Sequence, residues 1–469
     1  MEANSANTSD EQRLLLEAAR RACDYLSQLK ERRPFPSADA LEQLQNLAES
    51  LPLTPDNPFE ILRQLDEFGS PGTVANGGGR YFGFVTGGTL PVARAASVLA
   101  AAWDQNVALR LLSPVGAFLE DICLAWVREL LGLPAMTGGA LVTCATMASF
   151  TCLAAARHHL LANLGWNVES DGLFGAPEIP VFASADCHIA VLKALGLLGL
   201  GRSRVTRLTT DDQSRIRASE LPEIKQPSIV CIQAGDVNTG ALDPAAELCE
   251  WAHASESWVH VDGAFGLWVA ASPDRAHLAA GFSEADSWAT DCHKWLNVPY
   301  DSGVAFVSRP GALRAAMASD GAYFHLTEAR EPSHYNPELS RRARAIEIWA
   351  AIRSLGKAGI AELIDRTCRY AQLFAERLRA AGFEILNEVV TNQVLVSFGS
   401  DAHTDAVVQA LQTEGTCWCG STVWKGRRAM RISVSSWATT AEDVEASARA
   451  MLRVERDVRG ASTLKRSIS

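Results

Sequence analysis

Between residues 71 and 330, short apolar runs return at intervals, each followed by a stretch with a helical pattern: 140–143, 180–184, 205–208, 228–233, 258–262, 287–290 and 303–308. Several contain almost no polar residue. A strand wet on one face alternates polar with apolar, so only a strand covered on both faces can be apolar throughout. Strands of that kind alternating with helices predict an α/β fold with a mainly parallel central sheet. The functional residues of such a fold sit in loops beyond the carboxyl ends of the strands.

The flanking segments read differently. In residues 1–70, Leu14, Leu15, Ala18, Ala22, Tyr25, Leu26 and Leu29 keep a three-to-four spacing that makes one amphipathic helical face. Two prolines within 32–37 interrupt it. An arm with one greasy face has no core of its own, so it must cover the body or a second copy. Residues 331–469 carry long helical patterns at 341–357 and 360–381, two strand patterns at 393–398 and 428–434, and a final helix from about 441. The expected organisation is an N-terminal helical arm (1–70), a large domain (71–330) and a smaller C-terminal α+β domain (331–469).

Composition narrows the function. The net charge of −11 disfavours nucleic acid and anionic membranes, both of which need a basic face. Eleven scattered cysteines form no C-x-x-C pair, and Cys417 and Cys419 lack partners at zinc-finger spacing. No metal is expected, and the thiols fit a reducing compartment. The start of the chain is acidic and polar, unlike a secretory or transit peptide. The most apolar run, 189–200, contains Lys193 and is too short to span a bilayer. A cytoplasmic location is expected.

Four segments carry chemistry, and each follows an apolar run. In Asp291-Cys292-His293-Lys294-Trp295, a shielded lysine amine is suited to condensing with an aldehyde; an ordinary surface turn would also read this way. Asp262 closes a buried run and precedes Gly263 and Ala264. A buried carboxylate needs a cation, which a protonated heteroaromatic nitrogen would supply, while the small residues let a flat ring lie close. A helix cap is the alternative. Cys144-Ala145-Thr146 opens an alanine-rich helix whose N–H groups suit a phosphate, with Thr146 as a plain N-cap as the other option. His188 stands where an imidazole would stack on the same ring.

The order Thr146, His188, Asp262, His293-Lys294 resembles that of the group II pyridoxal-5′-phosphate (PLP)-dependent amino-acid decarboxylases, which include aromatic-amino-acid, histidine and glutamate decarboxylases. Tyr81-Phe82-Gly83-Phe84, Ser113-Pro114, the segment 238–244 (NTGALDP) and 341–344 (RRAR) resemble further blocks of that family. The resemblance implies PLP fold type I, the aspartate-aminotransferase fold, and a homodimer. It also implies roles: Lys294 binds the cofactor as a Schiff base, Asp262 pairs with its ring nitrogen, and His188 and Ala264 cover its two faces. Ala145 and Thr146 cradle the phosphate, with His293 nearby.

Three departures accompany it. Cys144 and Ala145 replace glycines common in relatives. Asp291 stands where many have asparagine, and is expected to point away from the phosphate. Asp236-Val237 replaces a threonine pair, leaving Asn238 to approach the cofactor's phenolic oxygen. A polar loop at 328–337 lies where relatives keep a mobile loop with a proton-donating tyrosine, so Tyr335 and His334 are the candidate acids. Arg431 suits either a substrate carboxylate or a structural ion pair. Phe84 and Val85 suggest apolar substrate contact, favouring an aromatic or bulky L-amino acid. The leading expectation is decarboxylation of an L-amino acid. Transamination, aldehyde formation, carbon–carbon lyase chemistry and a non-catalytic PLP-fold protein remain alternatives.

Overall fold

The computed structural model describes residues 2–319 and 330–468, without the side chains of 2–9 and 462–468. Strands β1 (Gly138–Val142), β2 (Val181–Ser184), β3 (Val205–Leu208), β4 (Ile229–Gln233), β5 (Trp258–Asp262), β6 (Ser287–Asp291) and β7 (Gly303–Val307) form one sheet in the order β1-β7-β6-β5-β4-β2-β3. These are the seven apolar runs of the sequence, within a residue or two at each end. β7 is antiparallel to both its neighbours, and β6, β5, β4, β2 and β3 pair in parallel.

Both faces of this sheet are covered, and the side chains divide by the two-residue period of a strand. Leu141, Val230, Ile232, Val259, Val261 and Phe306 enter one core, with Trp268 and Trp295. Their neighbours Ala140, Val142, Ile229, Cys231, Trp258 and Ala305 enter the other, beneath the helix Ala145–Asn163. That helix is buried around most of its circumference, which explains why its sequence shows alanine richness and no polar face.

A second, antiparallel sheet has the order β10-β11-β9-β8, from β8 (Glu384–Ile385), β9 (Gln393–Ser397), β10 (Gly420–Trp424) and β11 (Arg427–Ser433). Two of these strands, β8 and β10, were not expected, nor was the helix Asp401–Glu414. The two helices anticipated at 341–381 form one stretch, Ala345–Ala380, broken where Gly356 takes φ 59°, ψ −179°. In the arm, the helix Glu2–Gln28 ends before the prolines, and Ser37 Oγ caps the next helix by accepting from Ala40 N at 3.2 Å. Arg21 pairs with Asp66 at 3.0 Å, yet Leu15 and Leu16 stay exposed on the arm's surface.

Candidate active site

The parallel strands end on one edge, and the loops that leave them carry the residues singled out in the sequence. β5 and its neighbours set Asp262 in register with Gln233 of β4 and Ala289 of β6. The Asp262 carboxylate is buried and accepts from Ala264 N at 3.2 Å. Among the described residues, no lysine, arginine or histidine pairs with it. His188 follows β2 and caps the helix Ile189–Leu197, with Nδ1 accepting from Ala190 N at 3.2 Å; this puts the ring proton on Nε2. Its own N–H donates to Gln233 Oε1 at 3.2 Å, which ties the His188 turn to the end of β4.

The lysine turn is fixed from three sides. Asn297, at φ 56°, donates through Nδ2 to Trp295 O (2.8 Å) and Ser435 O (3.1 Å), and accepts from Trp437 N at 2.9 Å. Leu90 N donates to Asn297 O at 2.8 Å, drawing the 86–90 loop onto the turn. The contact there is so close that a Cβ on Gly87 would stand 1.8 Å from Lys294 O. Behind the turn, Trp295 Nε1 donates to Thr367 Oγ1 at 2.9 Å. The amine end meets an acid: Lys294 Nζ lies 3.2 Å from Asp291 Oδ2. His293 Nε2 lies 3.5 Å from the same oxygen, and burial holds the imidazole below its ordinary range.

Asp291 therefore faces into the site, contrary to the expectation that it points away. Its Oδ1 accepts from Ala145 N at 2.6 Å. Cys144, the residue before that helix, provides no side-chain cap, so the helix end takes its acceptor from β6. A phosphate at this end would find the Ala145 N–H already engaged.

A family model described as the pyridoxal-dependent decarboxylase conserved domain matches residues 42–399. The chain belongs to that family. An aromatic-L-amino-acid decarboxylase of Bacillus atrophaeus is 26% identical over 446 residues, covering 90% of each chain. A tryptophan decarboxylase of Oryza sativa is 25% identical over 435 residues, covering 84% of each. The Oryza sativa TDC structure with PLP and tryptamine superposes with a TM-score of 0.89 at 22% identity, over 96% of this chain and 98% of that one. The chain thus shares the fold of the decarboxylase family.

The residues present fit the family's cofactor. A buried carboxylate with no basic partner among the described residues suits the protonated ring nitrogen of PLP, and Lys294 follows the adjacent strand β6 on the same edge. Ala264, half-buried, leaves room for a ring above the end of β5. Thr146 is also half-buried, at the helix entrance where an anion would sit.

Other expected residues lie elsewhere. The Tyr335 ring is covered by the Arg330 guanidinium at 4.7 Å, and Arg330 donates to Gly139 O at 2.7 Å, at the amino end of β1. The cofactor edge is the opposite end, so Tyr335 is not brought to Lys294. His334 is buried on the same short turn, Pro332–Tyr335; Glu328 and Ala329 of that loop fall outside the described residues. Val85 is 1% exposed and packs in the main core, which leaves it no surface for substrate. Phe84 beside it is 65% exposed and stacks on Trp418 at 5.5 Å. Asn238 turns towards the second sheet, where its Oδ1 accepts from Thr422 Oγ1 at 2.9 Å. Arg431 donates to Val237 O at 3.3 Å and makes no ion pair within 4 Å among the described residues, although the buried Asp236 carboxylate is close enough to act on its charge.

Sequence reasoning passed over three residues. Asn297 and Trp418 gave no signal without the fold. Tyr300 lay in view, six residues after Lys294: its ring is 4.3 Å from the His293 ring, and its hydroxyl is near Thr86. Tyr300 is 55% exposed, and its partial burial still raises the phenol above the ordinary range despite the opposing pull of Thr86 and Lys294.

Proposed function

We propose that the chain decarboxylates an L-amino acid with an aromatic side chain, releasing CO2 and the corresponding amine. The observation that carries this is Asp262: a buried carboxylate with no cation partner among the described residues, at the end of β5 next to the strand that leads to Lys294, in a chain of the pyridoxal-dependent decarboxylase family. When bound, PLP supplies an aldehyde for the amines and a ring that accepts the electron pair left by CO2.

The chain's own residues perform the rest. Lys294 would hold the cofactor through its amine, and Asp262 would pair with the ring nitrogen. His188, its proton placed on Nε2 by the helix cap, would cover one face of the ring and Ala264 the other. Ala145, Thr146 and His293 would bound the phosphate. Arg431, which makes no ion pair within 4 Å among the described residues though it feels the nearby Asp236 carboxylate, is the guanidinium available to an anionic substrate group. Tyr300 holds the proton for the substrate Cα: its raised phenol stays protonated at neutral pH, and Thr86 and the His293 ring fix it. The aromatic ladder of Tyr81, Trp418 and Phe84, with centroids at 5.0 and 5.5 Å, supports the preference for an aromatic side chain.

The working unit in this reading is a cytoplasmic homodimer of three parts: arm (1–70), large domain (71–330) and small domain (331–469). Phe84, Leu99, Trp103, Leu111 and Phe118 are exposed large apolar side chains that a second copy would cover. Eleven free thiols, most of them buried, suit a reducing compartment. Among the described residues, no helix is long and apolar enough to cross a membrane.

The test is CO2 and amine release from a panel of L-amino acids by the purified protein with PLP. Stoichiometric CO2 and amine from an aromatic member supports the proposal. Keto acid or aldehyde without amine, or turnover of glutamate alone, would overturn it.

A further inference from the structure

Asp291 closes β6 three residues before Lys294, and its carboxylate makes contacts that belong to two different parts of the site. Oδ1 accepts from the first N–H of the helix Ala145–Asn163 at 2.6 Å. Oδ2 stands 3.2 Å from Lys294 Nζ and 3.5 Å from His293 Nε2. The side chain is 3% exposed, and the helix has no side-chain cap of its own. One buried charge thus occupies the positive end of a helix and holds a lysine amine.

Both groups are wanted by the cofactor in the function proposed above, on which this inference rests. A helix N-terminus stabilises one anion readily. A phosphate arriving beside a carboxylate that already holds that end meets a charge of its own sign, in surroundings where screening is weak. The Lys294 amine, paired with the same acid, must part from it to join an aldehyde.

We propose that Asp291 is a resident competitor for the cofactor. It competes with the phosphate for the helix end and with the aldehyde for the Lys294 amine, and so sets how tightly this chain holds PLP. The residue is a positioning and affinity-setting group, and takes no part in breaking the substrate bond.

Binding to the full-length protein, stripped of cofactor, tests this through quenching of tryptophan fluorescence. The probes are pyridoxine 5′-phosphate, which has the phosphate but no aldehyde, and pyridoxine, which has neither. Asp291→Asn keeps an acceptor for Ala145 N and removes the charge; Asp291→Ser removes it with a shorter side chain, should the first variant fold poorly. Each variant is expected to bind pyridoxine 5′-phosphate at least about tenfold more tightly than the wild type, with pyridoxine unchanged. Equal or weaker binding of the phosphate ester by the folded variants would overturn the proposal and identify Asp291 as a structural cap. Equal tightening of both probes would overturn it too, since competition at the phosphate predicts a difference. A wild-type protein that binds neither the ester nor PLP would instead overturn the cofactor reading, and this inference with it.

Discussion

Replacing Gly87 with alanine should disable the site without unfolding the chain. The added Cβ would stand 1.8 Å from Lys294 O, 2.9 Å from Lys294 C and 3.2 Å from His293 O. A carbon and a carbonyl oxygen need about 3 Å, so the 86–88 loop and the lysine turn must part by more than about 1 Å. Neither side gives easily. Leu90 N holds Asn297 O at 2.8 Å, and Asn297 is bonded in turn to Ser435 and Trp437. Overpacking of this kind costs about 1–3 kcal/mol of stability. A 1 Å error at the lysine costs roughly a hundredfold in rate. The assay compares kcat, KM and the absorbance of the lysine-bound cofactor with those of Gly311→Ala, whose Cβ meets nothing within 4 Å. The expected result is a roughly hundredfold fall in kcat for Gly87→Ala, with far-ultraviolet circular dichroism unchanged and the Gly311 control near wild type. A Gly87→Ala enzyme within about twofold of wild-type kcat would refute the claim that this contact positions Lys294.

Further outcomes follow from the same geometry. Asp262→Asn should lose about 3 kcal/mol of cofactor or transition-state stabilisation, roughly a hundredfold, while the cofactor-free protein melts no lower than wild type because a buried charge has been removed; binding titration and thermal melting check the two halves. Tyr300→Phe should lower kcat by about a hundredfold with little change in KM, whereas Tyr335→Phe should leave both unchanged; steady-state kinetics on the pair decide between the two tyrosines. Away from the site, His253 Nε2 lies 3.0 Å from Asp286 Oδ2. That bond raises the imidazole above its ordinary 6.5, so its stabilisation is complete below that value and fades as pH climbs through the raised one. Burial works to raise Asp286, but His253, Val259 N–H and Arg309 outweigh it and hold the acid below 3.8; its share is lost only as pH falls through the lowered value. Melting temperature should therefore fall from pH 6 to 8 more in wild type than in His253→Ala, and parallel curves would count against the pair.

The central sheet was legible because both its faces are buried. Trp258, Val259 and Val261 are apolar whichever way they point, so the strand announces itself without any alternation. β10 follows the opposite logic: its residues alternate between exposed and half-buried until Trp424, and Gly420, Ser421 and Thr422 read as a turn. Most of the cofactor residues were legible for a related reason, since each stands at the end of a strand or within four residues after it. What sequence could not supply was direction across the sheet. Asp291 finds Ala145, 146 residues earlier in the chain, only because β6 and β1 end on the same edge. Tyr335 lies by the amino end of β1, away from Lys294 within the chain, while Tyr300, six residues after Lys294, was passed over. The left-handed backbone at Phe84 and Val85, φ 54° and 58°, sends one side chain outward and buries the other, which no residue pattern indicates.

The most direct test of the account is to trap the cofactor on the chain. Purified protein is loaded with PLP, reduced with borohydride, digested and mapped by mass spectrometry. The account predicts one modified residue, Lys294, and no modification of that peptide in Lys294→Ala. Modification spread over surface lysines such as Lys193 and Lys425, with Lys294 untouched, would contradict it.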